Sequence, residues 1–243
     1  MAHAVGTLPG ERIEMRTAGM TKMQVMARRM WLPVFAMGAM VLFAVLVIGA
    51  VQSSFASDLH EVDKATREAA TVSGSLLDKQ QFVETTGIWL PQLQLLGMGL
   101  LFGGITFLLA TILGNLRLYG GLVQERSGRK VLALKPPWSA QLFPMVMMVG
   151  EMVLIGAFVV SIVVATIASD VFGNPISVID GAGSGSGLLA DFQTVKTYGA
   201  WLQGFALTGL ALVLSGIVLA LYTIAQVLRF QHSRVAEIAQ GAE

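Results

Sequence analysis

The sequence predicts an all-α integral membrane protein, a four-transmembrane-helix bundle with an extracytoplasmic helical segment between spans one and two. Three observations lead there. Charged residues make up 13% and hydrophobic ones 54% of the 243 residues, where a soluble domain carries about 25% charged residues. Residues 31–53, 89–114, 138–168 and 199–228 each reach the roughly 20 apolar residues a helix needs to cross a hydrocarbon core about 30 Å thick. Trp31, Trp89, Trp138 and Trp201 each stand at the start of one such stretch, the headgroup level that tryptophan favours.

Residues 1–30 form a cytoplasmic N-terminal segment. From about Thr17 it carries Met20, Met23, Val25, Met26 and Met30 among Lys22, Arg28 and Arg29, a pattern for an amphipathic helix along the inner leaflet or for a short extension of span one. Residues 31–228 form the transmembrane domain. Span one, Trp31 to Gln52, has no charge, and Ser54-Phe55-Ala56 after it resembles a signal-peptidase site. The apolar run is longer than the 7–15 residues of a signal peptide, so a retained helix is the better reading.

From Asp58 to Gln81 the chain is polar, with Val62, Ala65, Ala69, Val72 and Leu76 in a three–four stripe. That spacing predicts an outer helix packed on a partner or on the chain's own second outer loop. Span two ends in Asn115, Arg117 and Tyr119, then Gly120-Gly121, which predict a stop, while Pro136-Pro137 restart the chain before span three. Gly181 to Gly187 alternates glycine with alanine and serine. It reads as a turn or linker, because a phosphate-cradling loop would need a following Lys and Ser/Thr. Residues 229–243 form a cytoplasmic tail.

Orientation follows from lysine and arginine. Of the 16 basic residues, Arg12, Arg16, Lys22, Arg28 and Arg29 precede span one, Arg117, Arg126, Arg129, Lys130 and Lys135 separate spans two and three, and Arg229 and Arg234 follow span four. The opposite side holds Lys64, Arg67, Lys79 and Lys196 among nine acidic residues. Both termini and the middle loop are therefore placed in the cytoplasm, in a bacterial inner membrane.

Composition also excludes chemistry. A net charge of +1 offers no excess to hold a nucleic-acid backbone. The chain has no cysteine, which removes disulfides, iron–sulfur ligation and thiolate zinc sites. His3, His60 and His232 lie outside the spans, so no axial pair for an intramembrane haem is at hand. No cofactor and no metal site are expected. His60 with Glu61 and Asp63, and Met148 with Met152, read as a solvated helix face and as packing filler.

Glu151 is the one ionisable group deep in a span, about 13 residues and roughly 20 Å in from Trp138. Such a carboxyl must be protonated, paired, or turned to water or another protein. Two roles are open: proton carrier or ion ligand, and structural hydrogen bond to Thr106, Thr208 or Ser215. Gly97, Gly99, Gly103 and Gly104 in span two, and Gly209 and Gly216 in span four, predict close packing of these helices with each other or with a partner. Arg117, Arg126, Arg129, Lys130 and Arg229 are candidate contacts for lipid headgroups. Asn115, Tyr119, Gln124, Gln226, Gln231 and His232 lie at similar depth, and Gln92 and Gln94 mark the outer end of span two.

The expected function is a non-catalytic membrane subunit that anchors, stabilises or helps assemble a larger complex with other membrane subunits, in contact with membrane lipids. The alternative is a small proton-coupled transporter or channel centred on Glu151. A weaker alternative is an enzyme handling lipid or quinone at the inner face.

Overall fold

The computed structural model describes residues 13–15, 22–68, 76–128 and 131–240. In chain order these form β1 (Ile13–Met15), α1 (Lys22–Glu61), α2 (Lys64–Glu68), α3 (Leu76–Arg126), β2 (Leu132–Leu134), α4 (Trp138–Phe172), α5 (Ile176–Asp180) and α6 (Gly187–Ala239). Helices α1, α3, α4 and α6 are each long and apolar enough to cross a membrane, and the chain is an integral membrane protein with an all-α bundle. At 1.5 Å per residue the 51 residues of α3 run about 75 Å, more than twice the hydrocarbon thickness. Its ends therefore extend beyond the lipid core.

Several elements depart from the sequence reading. Lys22 to Met30 are the first turns of α1 itself, so the extension applies there and not a separate amphipathic helix; Thr17 and Met20 lie outside the described residues. The outer stripe is not one helix. Its start belongs to α1, its end to α3, and among the described residues the five-residue α2 stands between; Ala69 and Val72 lie outside them. Gly120-Gly121 do not stop the second span, because α3 continues to Arg126. Glycine is a poor helix former, but here it leaves room for a neighbour: a Cβ at Gly120 would lie 2.0 Å from Gln231 Oε1 of α6. The stop comes at Gly128, whose φ of +71° is the left-handed conformation that glycine enters without strain.

Helix starts follow capping chemistry. Ser186 Oγ accepts from the Leu189 amide at 3.3 Å at the head of α6, and Asp63 Oδ1 accepts from the Thr66 amide at 2.7 Å at the head of α2, the N-cap geometry that satisfies an orphan amide. The Thr66 hydrogen bonds hold the Asp63 carboxyl below its ordinary value of 3.8. A depressed carboxyl stabilises the folded segment above its unfolded pKa, and that contribution disappears as pH falls through the lower, folded value. The Thr66 amide is accordingly expected to lose hydrogen-exchange protection below about pH 4, with α1 and α3 unaffected.

The packing divides the chain into two compact units. One comprises Met1–Phe35, Phe102–Met148 and Leu212–Glu243. Its core gathers Leu113, Leu134, Ile224, Val227 and Phe230, and a buried hydrogen bond of 2.8 Å joins Ser139 of α4 to Thr223 of α6. β1 and β2 pair antiparallel, Ile13 opposite Leu134 and Met15 opposite Leu132. The Gln124 side chain holds this ribbon to α3, its amide donating to Leu132 O at 3.1 Å and its carbonyl accepting from Leu132 N at 2.9 Å.

The other unit comprises Ala36–Leu101 and Val149–Ala211. There α1 and α3 are fastened by Lys79 donating to Asp58 at 2.5 Å, by Gln52 donating to Val83 O at 3.0 Å and by the edge-on rings of Phe55 and Phe82. Gln81 crosses to α4, donating to Ser169 O at 2.8 Å and to Ser169 Oγ at 2.9 Å. Val164, Ala168, Phe172 and Val195 form the core between α4 and α6.

Candidate functional site

Glu151 lies on α4 one turn before Leu154, and α3 meets this turn at Gly99. A Cβ at Gly99 would lie 2.3 Å from Leu154 Cδ1 and 3.2 Å from Glu151 Oε2, so the carboxyl group rests close to the α3 backbone where glycine leaves it room. On its other side the same turn meets α6, where a Cβ at Gly209 would come within 2.9 Å of Val153 Cγ1 and 3.0 Å of Gly150 O. Leu154, 1% exposed, is enclosed between the two glycines. The sequence-level candidates Glu151, Gly99 and Gly209 thus share one locus.

Both carboxylate oxygens of Glu151 are buried without a hydrogen-bond partner among the described residues. Thr106 and Thr208, expected as partners, donate to carbonyls of their own helices, Phe102 and Gly204. A threonine hydroxyl in a helix has its i−4 carbonyl always within reach, and sequence depth alone does not set which way it turns. Gln92, placed from sequence at an interfacial helix end, is 5% exposed with its Oε1 also buried and unpartnered. It precedes Gly99 by seven residues, two helical turns, and so lies on the same face of α3. Gln94 is exposed.

No family model, curated protein or solved structure matches the chain.

The remaining glycines divide among partners. A Cβ at Gly97 would lie 2.9 Å from Val41 of α1, one at Gly104 2.7 Å from the Phe35 backbone of α1, and one at Gly216 3.2 Å from Met147 of α4; Gly103 is buried in α3. Spans two and four therefore spend these glycines on α1 and α4 more than on each other. Gly38 was not singled out by the sequence, yet it makes a very close approach: its Cβ would sit 2.5 Å from Leu101 N. The small-residue run Ala36, Gly38, Ala39 was its only signal.

The candidate headgroup residues do not share one site. Arg117 lines an apolar cavity described below, Arg126 is exposed at the end of α3, and Arg229 lines a separate depression with Leu228, His232, Ser233 and Ala236. Arg129 and Lys130 lie outside the described residues. Gln124 clamps β2, Gln231 packs on Gly120, and Gln226 Oε1 is buried without a partner. His60 Nδ1 lies 2.7 Å from Ala56 O of its own helix. Among the described residues no group of three His, Cys, Asp or Glu could hold a metal ion.

Proposed function

We propose that the chain is a non-catalytic membrane subunit that anchors, stabilises or helps assemble a larger membrane complex, set in a bacterial cytoplasmic membrane with both termini on the cytoplasmic side. The outward face of α4 carries this reading. Met148, Met152, Ile155 and Val159 are exposed there at three–four spacing, and Gly156 lies among them with nothing within 4 Å of where its Cβ would be. A glycine inside a helix costs up to about 1 kcal/mol against alanine and is useful where another helix approaches closely. Gly156 makes no such contact within its own bundle, and methionines beside it adapt readily to a partner surface. α1 adds a second free face: 6% of its most apolar stretch is buried, against 28–33% in the other three helices.

Because Gly156 faces open space, Gly156→Leu is expected to leave the melting temperature of the isolated chain unchanged while stripping away chains that co-purify with the wild type at fixed stoichiometry. Retention of those chains by the variant would count against the α4 face as the attachment point.

One observation favours a second reading, a proton-coupled transporter or channel centred on Glu151: both carboxylate oxygens are buried and unpartnered. On that reading Glu151→Gln abolishes proton-linked flux in liposomes without unfolding the chain. Equal flux in the two proteins, or none in the wild type, dismisses it.

A further inference from the structure

A cavity of about 250 Å³ lies among α1, α3 and the start of α4, wholly within the unit that contains both chain ends. Its wall is apolar, with Ala27, Phe107, Ala110, Ala140 and Phe143 prominent in it, and Gln24, Thr106 and Arg117 are its polar members. Met26, 58% exposed, also contributes to the wall, so the cavity reaches the outer face of the bundle. From Thr106 to Arg117 the wall extends along α3 by about 16 Å. It is a slot with an apolar length and a cationic end.

The wall's own segments are basic, and Glu14 of β1 stands nearby, opposite Ala133. The three segments that build the wall, 24–29, 106–117 and 135–147, hold Arg28, Arg29, Arg117 and Lys135 and no acidic residue. A volume just under the usual 300–1,000 Å³ of small-molecule pockets suits one hydrocarbon chain. Arginine presents a planar fork of N–H donors that matches phosphate oxygens in a bidentate way, and cations beside a membrane surface attract anionic lipid.

We propose that this cavity is a binding site for an anionic phospholipid, with one acyl chain in the slot beside Phe107 and Ala110 and the phosphate at Arg117. The lipid enters sideways past Met26 from the surrounding bilayer. Arg28, Arg29 and Lys135 add attraction at the headgroup without lining the slot.

The test is native mass spectrometry of the purified full-length chain, titrated with phosphatidylglycerol and with phosphatidylcholine of the same acyl composition. The wild type is expected to retain one phosphatidylglycerol about tenfold more strongly than phosphatidylcholine: both carry the phosphate that Arg117 holds, but the choline cation cancels the net charge that draws the lipid to the basic end, worth about 1 kcal/mol per neighbouring cation. Arg117→Gln is expected to cut retention of both lipids by about tenfold, the worth of one charge-assisted contact, and Arg117→Lys to keep part of it. Ala110→Phe, which fills the slot from α3, and Ala140→Phe, which fills it from α4, are each expected to cut retention of both lipids; the two independent fillings cover the failure of either variant to fold. Excess inorganic phosphate is expected not to displace the lipid. Equal retention of the two lipids by the wild type, unchanged retention of both in Arg117→Gln, full retention in a folded filling variant, or displacement by phosphate overturns the proposal.

Discussion

Leu154→Ala is expected to destabilise the bundle by roughly 2 kcal/mol, the lower end of the range for buried leucines. The lower end applies because a helix separated in the bilayer returns its leucine to lipid and not to water, so what is lost is packing more than hydrophobic transfer. Leu154 is 1% exposed and stands between Gly99 of α3 and Gly209 of α6, so its truncation opens a void at a three-helix junction. Gly99→Ala alone is also expected to destabilise, since its Cβ would meet Leu154 Cδ1 at 2.3 Å. Combined, the two changes should partly cancel: the new methyl enters the space that Leu154 vacates. A double-mutant cycle, read by reversible unfolding in mixed detergent micelles, is expected to show a favourable coupling of about 0.5–3 kcal/mol. Strict additivity would mean that α3 and α4 do not meet at this point.

Gly38→Ala is expected to cost about 1–2 kcal/mol despite alanine being the better helix former. The helix preference favours the variant by up to about 1 kcal/mol. Against it, the added Cβ would lie 2.5 Å from Leu101 N and 2.9 Å from Gly97 O, and all of these are backbone atoms that cannot turn aside. Overpacking of this kind costs about 1–3 kcal/mol, and the clash wins. Gly156→Ala, made in open space, provides the control and is expected to be neutral or slightly stabilising in the same unfolding measurement. A Gly38→Ala protein as stable as the wild type would show that α1 and α3 are further apart than described.

The parts of this fold that sequence makes legible are those set by length and composition. A span shows itself through twenty apolar residues whatever its neighbours are, and α1, α3, α4 and α6 each contain one of the four expected stretches. Contacts between helices depend on azimuth and on which neighbour approaches, and spacing along one chain carries little of that. Gly99 and Glu151 stood out separately, one among the glycines of span two and the other as a lone charge, but nothing in either segment indicated that they touch. Gly120 reads locally as a helix stop, and nothing near it in sequence indicates that Gln231 of a distant segment packs on it. The β1–β2 ribbon is three residues a side, too short for a period-two pattern, and its tie to α3 comes from one glutamine side chain. Arg117 was legible as a cation at a span end; the cavity beside it arises from residues of three segments that sequence does not place together.

We propose that this chain serves as an attached subunit and does not act alone. The most direct test is gentle detergent extraction from the native membrane, followed by mass spectrometry of every chain, lipid and cofactor that remains at fixed stoichiometry, for the wild type and for Gly156→Leu. Further membrane chains are expected to accompany the wild type in a constant ratio and to be lost from the variant. Purification of the wild type alone or as a homo-oligomer, with proton-linked flux that requires Glu151, would contradict it.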